Sequence, residues 1–371
     1  MDLQALSFGL YIHVPFCSNA CAYCNFYKTR PTRQEIQKYL EGIKKEFLQH
    51  QELLSQKTIQ TIFIGGGSPS SLSTKDLESL LSIIKPWAQQ CLEWTIEVSP
   101  VSINLDKLAC MKAYGVNRIS MGIQSFQPTI LELLGRRQTP EQAYQAYEWI
   151  RQNQFQNVNL DLIFPPNFGH FPAWQKDLET MVQLAPEHIS TYCLSYEKDT
   201  GPFAKETPIN EKQELKFYQY TWQFLETQGY HHYEISNFAK PGFSCKHNEN
   251  TWKMQEWLGF GPSAASQIDF KRYRNPYSID KWIQNIHEDI TQLSPNDLLV
   301  DCLIFGLRTV EGVNLLNLKK RFPYTKLEKY EPLWQQLKDL YLCVYDKEVI
   351  RCTDQGLLVA DAIAQAILEV E

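Results

Sequence analysis

Short runs of apolar and β-branched residues alternate along this chain with longer stretches whose apolar positions recur every three to four residues. The runs Gly9 to Val14, Thr61 to Ile64, Trp94 to Val98, Arg118 to Ile123, Val158 to Phe164 and His188 to Cys193 read as strands. The stretches between them read as helices with recognisable starts. Thr32 and Glu35 form a capping box ahead of Ile36, Leu40, Ile43 and Phe47, which share one helical face. Thr139, Pro140 and Gln142 open a second helix, Glu141 to Gln152. Six strands alternating with helices predict parallel pairing through right-handed crossovers, hence an α/β sheet, open or partly closed into a barrel.

After Tyr196 the pattern changes. Lys212 to Gln228 keeps a helical period, whereas Tyr233 to Ser266 is rich in Gly, Pro and aromatic residues and reads as a loop-dominated connection. Beyond Pro295, helical stretches Leu298 to Gly306, Lys326 to Leu340 and Gln355 to Glu369 surround the strand-like Val349 to Cys352, which predicts a small winged-helix-like α+β domain. The expected division is a barrel over 1–232, a connecting region over 233–290 and a small C-terminal domain over 291–371.

Composition narrows the functional classes. With 371 residues, 43% hydrophobic and 21% charged, the chain has the make-up of a folded protein large enough for an enzyme. The net charge of −6 argues against a general nucleic-acid or anionic-membrane binder. Met1 to Leu6 carry neither a basic n-region nor an apolar h-region, and a cytoplasmic location is expected. Of ten cysteines, Cys91, Cys110, Cys193, Cys245, Cys302, Cys343 and Cys352 are scattered singly, and most of them read as core thiols in a reducing compartment.

The other three carry chemistry. Cys17, Cys21 and Cys24 follow the first strand with spacing C-x3-C-x2-C. A [4Fe–4S] cluster is usually held by four thiolates, so a three-cysteine loop leaves one iron open to an outside ligand. A structural zinc site is the alternative, but it needs a fourth ligand, and His13 projects from the preceding strand.

In parallel barrels the reacting groups sit where strands end. The second strand runs into Gly65-Gly66-Gly67-Ser68-Pro69-Ser70, which is either a tight turn or a backbone edge brought close to a ligand, and which matches neither phosphate-binding fingerprint. Glu97 ends the third strand, Gln124 follows the fourth, Arg136 lies beyond it, and Asp161 lies in the fifth. Singly these are ordinary surface or ion-pair residues. Together they suit an amino-acid-bearing nucleoside, since carboxylates bind hydroxyls or ammonium and an arginine fork clamps a carboxylate. The adjacent His231 and His232 point to opposite strand faces and do not suggest a metal pair.

The cysteine loop resembles that of the radical S-adenosylmethionine (SAM) enzymes, and its context resembles the oxygen-independent coproporphyrinogen III oxidase subgroup. Further matches are Asn117 to Phe126, Leu134-Gly135-Arg136, Asp161-Leu162-Ile163, Tyr233 to Ala239, Cys245-Lys246-His247-Asn248 and Gly259 to Pro262. The resemblance implies an incomplete (β/α)6 barrel, a [4Fe–4S] cluster on Cys17, Cys21 and Cys24, and SAM contacts from Tyr11, Gly66, Gly67, Ser68, Glu97, Gln124, Arg136 and Asp161.

Phe26 separates two branches of that subgroup. The porphyrinogen-oxidising enzymes carry a further cysteine where this chain has Phe26, and Phe26 resembles the HemW-type branch of haem chaperones. That branch implies haem as cargo, delivery to an acceptor such as a membrane-bound respiratory protein, and His247 of His247-Asn248-Glu249-Asn250-Thr251-Trp252 as a haem contact. It also allows a homodimer, and an electron donor if SAM is cleaved. The alternatives are a radical SAM enzyme acting on a tetrapyrrole, a radical methylase, or a degenerate interaction module. Departures from the family pattern are Thr251 for a tyrosine, Gln138 and Ala265 for histidines, and Pro165-Pro166 for Gly-Leu-Pro.

Overall fold

The computed structural model describes residues 8–18, 21, 23–165, 170–194 and 211–370. Six parallel strands lie side by side in sequence order: β1 (Phe8–Val14), β2 (Ile59–Gly66), β3 (Glu93–Val98), β4 (Arg118–Gln124), β5 (Val158–Phe164) and β6 (His188–Cys193). The last two match the spans predicted from the sequence residue for residue. β1, β3 and β4 extend by one residue at one end and β2 by two at each end, where ladder bonds continue past the apolar run.

Alternation along these strands divides their side chains between two environments. Leu10, Ile12, Ile64, Ile96, Ile119, Met121, Leu160 and Leu162 are fully buried and share one core with the helical residues Ile43, Leu77, Leu80 and Met111. Each such burial contributes about 1.5–3 kcal/mol. The intervening positions carry Tyr11, His13, Glu97, Ser120, Asn159 and Asp161, a polar set. Both predicted capping boxes form, at Thr32 with Glu35 and at Thr139 with Gln142.

The segment expected to be loop-dominated is instead built into the sheet. It contains β7 (His231–Glu234), β8 (Asn237–Ala239), β9 (Glu256–Phe260) and β10 (Ala265–Ile268), followed by β11 (Lys271–Arg274) and β12 (Glu288–Gln292). The whole sheet runs β12-β11-β10-β9-β1-β2-β3-β4-β5-β6-β8-β7. A six-stranded open barrel leaves two edges of unpaired backbone groups, and these strands satisfy them. β9 pairs parallel to β1, Leu10 opposite Leu258, while β8 pairs antiparallel to β6, Ile189 opposite Phe238. Strands of three to five residues lack the length for a legible alternation.

Toward the C-terminus β13 (Val313–Asn314), β14 (Cys343–Tyr345) and β15 (Val349–Cys352) form a separate antiparallel sheet in the order β13-β15-β14. Helices Pro295–Gly306, Glu331–Asp339 and Ala360–Leu368 accompany it, an α+β unit of the expected kind. The helix expected over Gln355 to Glu369 is split at Val359, whose φ of −120° caps Asp354–Leu358 and starts Ala360–Leu368. Among the described residues no helix is long and apolar enough to cross a membrane. Pro166, one of the departures noted above, lies outside the described residues.

Candidate functional site

At the C-terminal ends of the six parallel strands, described residues line a cavity of about 400 Å³. Cys17, Cys21 and Cys24 line it together with Gly66, Gly67, Ser68, Glu97, Gln124, Arg136 and Asp161. Ten of the twelve residues singled out from the sequence therefore meet in one place.

The cysteine loop is seated by backbone bonds to its neighbours. The N–H of Cys17 donates to Thr29 O at 3.0 Å, and Thr29 N–H donates to Pro15 O at 2.7 Å, closing the loop's base. Ser68 N–H reaches Phe16 O at 2.8 Å and Gly67 N–H reaches Val14 O at 2.8 Å, tying the loop to the triple glycine. Each glycine is needed, although protein atoms rather than a ligand occupy the space it frees. A Cβ on Gly65 would lie 2.9 Å from the Glu97 carboxyl, one on Gly66 would lie 2.5 Å from the His13 ring, and one on Gly67 would lie 2.8 Å from Phe16 O. Gly66 also has φ of 110°, which favours glycine.

On the far wall, β4 ends in a bulge between Gly122 and Gln124. Gln124 adopts φ of 73°, and its buried Oε1 finds no hydrogen-bond partner among the described residues. Asp177 holds this turn, accepting the Phe126 N–H at 2.8 Å, the Ser125 hydroxyl at 2.5 Å and the Gln127 amide at 3.1 Å. Arg136 follows Gly135, whose φ of 66° ends the preceding helix and turns the chain toward the cavity. The guanidinium donates from Nη2 to Gly122 O at 2.7 Å and from Nη1 to Cys21 Sγ at 3.3 Å, while its buried Nε has no partner.

The two carboxylates face each other across the strands. Burial, with Asp161 adding its charge, pushes the Glu97 carboxyl up to about 8, even though its Oε2 accepts the Gly66 N–H at 3.1 Å. Burial likewise raises Asp161, which Asn159 Nδ2 meets at 2.7 Å. Cys17 is pushed up to about 11 by burial and by the neighbouring cysteines. In each of the three, burial is the largest cause and outweighs the opposing pull of nearby cations, Arg118 on Glu97, Arg118 and Arg136 on Asp161, and Lys28 and Arg136 on Cys17.

That donor set fits the groups the resemblance implies. Among the described residues no three His, Cys, Asp or Glu side chains converge on a single ion. A [4Fe–4S] cluster asks instead for one thiolate per iron at separate corners. Gln124 and Arg136 line the same cavity as the cysteines, and the buried Gln124 Oε1 and Arg136 Nε, an acceptor and a donor, have no partner among the described residues.

Two predicted residues lie elsewhere. Tyr11 is not part of the cavity lining. Its hydroxyl meets His13 Nδ1 at 3.1 Å, and His13 Nε2 meets Tyr27 O at 2.9 Å. A carbonyl can only accept, so the proton sits on Nε2 and Tyr11 donates to Nδ1. The pair thus supports the end of the cysteine loop. His247 lies at the opposite ends of the strands, 9% exposed, with Nδ1 at 2.9 Å from Thr61 Oγ1 and its ring 5.3 Å from Phe63. Glu93 receives the N–H groups of Lys246 and His247 at 2.9 and 3.1 Å, plugging the helix Lys246–Trp252 into the barrel base.

The departures sort by position. Gln138 lines the cavity and donates to Ile123 O, whereas Ala265 is solvent-facing and Thr251 bonds back to His247 O at 3.0 Å. His232 is buried between Trp222 and Phe238 while His231 is exposed, as the strand alternation predicted. Sequence reasoning missed Asp177 and Lys107. Lys107 Nζ, 9% exposed, donates to Ser70 O at 2.7 Å and Ser102 O at 2.6 Å and so joins two cavity loops. Both lie on helices among unremarkable neighbours, and no local pattern marks them.

Comparison with known proteins adds independent findings. The profile of the radical SAM superfamily matches residues 11–173, and that of the HemN C-terminal domain matches residues 293–359. The chain is 30% identical to the heme chaperone HemW of Lactococcus lactis subsp. lactis (strain IL1403), over 96% of each sequence. It is 32% identical to the heme chaperone HemW of Bacillus subtilis (strain 168), covering 96% of this chain and 98% of that one. Among solved structures, coproporphyrinogen III oxidase (HemN) from Escherichia coli, a radical SAM enzyme, shares the fold. The TM-score is 0.82 at 22% identity, over 97% of this chain and 90% of that one.

Proposed function

The chain belongs to the HemW family of radical SAM proteins, and on that premise we propose that it is a haem chaperone whose barrel mouth binds a [4Fe–4S] cluster and SAM. The observation that carries the cofactor reading is the convergence of Cys17, Cys21 and Cys24 with Gln124, Arg136, Glu97 and Asp161 on one cavity. The three thiolates would hold three irons of the cluster, leaving one for the amino and carboxylate groups of SAM. The cluster, when bound, supplies one-electron reducing chemistry.

The chain's own residues orient and neutralise. Arg136 donates from Nη1 to the Cys21 sulfur at 3.3 Å, and its Nε, without a partner among the described residues, can donate to a carboxylate. Gln124 Oε1 is an acceptor for an ammonium or a hydroxyl, and Glu97 and Asp161 are acceptors for the cationic and hydroxylated parts of the nucleoside. Tyr11 and His13 act behind the loop, keeping its Tyr27 end in place.

Haem delivery is favoured over porphyrinogen oxidation by the HemW relatives and by Phe26, which occupies the position of the oxidases' further cysteine. The acceptor would be a haem-requiring respiratory protein, met from the cytoplasm. His247 is left out of the haem site because its imidazole is engaged at the barrel base. The cofactor reading is tested by anaerobic reconstitution with iron and sulfide, followed by iron analysis and electron paramagnetic resonance of the reduced protein with and without SAM. A full cluster whose signal shifts on SAM addition supports it. Retention of that cluster in Cys17→Ala, Cys21→Ala or Cys24→Ala overturns it.

A further inference from the structure

Two of the cysteines that look isolated in the sequence are partners in space. Cys343 on β14 and Cys352 on β15 are directly opposed in the antiparallel register, with sulfurs 3.8 Å apart. Both are buried, at 3% and 6% exposure. The Thr353 N–H donates to Leu342 O at 2.9 Å, one residue outside the pair, so Cys343 and Cys352 occupy a non-hydrogen-bonded position of the ladder. There the backbones approach most closely, with Cα atoms about 4.5 Å apart, inside the range a disulfide bridges.

We propose that Cys343 and Cys352 form a reversible disulfide site, closed by a peroxide-class oxidant, that locks the β14–β15 hairpin of the C-terminal domain. The Cys343 sulfur attacks one peroxide oxygen, giving a sulfenic acid and releasing one water. The Cys352 sulfur then attacks the sulfenic sulfur, forming the S–S bond and expelling a second water. Two thiols are oxidised, one peroxide is reduced, and the two thiol protons leave in the two waters. The two sulfurs lie within hydrogen-bonding reach, so the S–H of one can stabilise the thiolate of the other for the first step. A dithiol reductant reverses the closure.

The pair stands apart from the barrel mouth, and its test needs neither cluster nor SAM. The full chain is treated with hydrogen peroxide, its free thiols are blocked, and it is digested with trypsin. Lys347 and Arg351 lie between the two cysteines, so cleavage separates the peptide Asp339 to Lys347 from that beginning at Cys352. The expected result is these two peptides joined, 2 Da lighter than their sum, and separated again by dithiothreitol. Recovery of the two peptides unjoined, each carrying a blocked or over-oxidised cysteine, overturns the proposal. Because the wild-type chain is mapped, the result does not depend on whether a Cys343→Ser variant folds.

Discussion

Arg136 joins the cysteine loop to the end of β4, touching Cys21 Sγ at 3.3 Å with one guanidinium nitrogen and Gly122 O at 2.7 Å with another. Only a planar fork reaches both, since lysine offers a single nitrogen. Gly122 makes the approach possible, because a Cβ there would lie 3.2 Å from Arg136 Nη2 and 2.7 Å from Gln124 Nε2. Arg136→Lys should therefore fold and take up iron, yet bind SAM on the order of 10- to 100-fold more weakly, the scale of one lost charge-assisted hydrogen bond. Calorimetric titration of the reconstituted variant checks this, and wild-type affinity would refute it.

Glycine at position 67 lets the cluster loop close. In Gly67→Ala the new Cβ must displace the Phe16 backbone from 2.8 Å, and backbone gives way less readily than a side chain. The expected cost is about 1–3 kcal/mol, with reduced iron uptake because Cys17 is the next residue after Phe16. Denaturant unfolding and iron analysis read the two effects separately.

Glu97 gives the cofactor-free chain a pH-dependent stability. Its carboxyl titrates at about 8 when folded and ordinarily at 4.5, because burial disfavours the charge. Between those values the folded state holds a proton that the unfolded chain has released, so stability falls as pH rises from about 4.5 to 8 and levels off above. Glu97→Gln carries no titrating carboxyl, and its melting temperature should decline less steeply over that window. Parallel slopes for the two proteins would contradict the assignment.

His247 is buried at the barrel base in this fold. Its ring fills the space over Gly9, with Cε1 3.2 Å from where a Cβ would stand, and bonds Thr61. His247→Ala should lose about 1–3 kcal/mol of stability through a cavity and an unpaired partner, while the haem absorption of the folded protein stays unchanged. An altered haem spectrum at wild-type stability would restore His247 to the haem site.

Much of this was legible in the sequence, for identifiable reasons. β5 alternates Val158, Leu160 and Leu162 with Asn159 and Asp161, and capping residues such as Thr32 and Thr139 announce their helices through local chemistry. The C-x3-C-x2-C spacing is a short-range signal of the same kind. What was illegible depends on partners far along the chain. β9 is a strand because β1 has a free edge, and Asp177 matters because it receives a turn some fifty residues earlier. His247 belongs to a motif that names a residue without saying which end of the barrel it occupies. Cys343 and Cys352 look solitary until β14 and β15 are in register.

The central claim is that this fold carries haem and does not oxidise a porphyrinogen. Its most direct measurement is an anaerobic assay of the reconstituted protein with SAM and a reductant, in which haem binding is titrated spectrally while coproporphyrinogen decarboxylation is followed by product mass. Stoichiometric haem uptake with no decarboxylated product is the predicted result. Turnover of coproporphyrinogen to its decarboxylated product, with or without haem uptake, would contradict it.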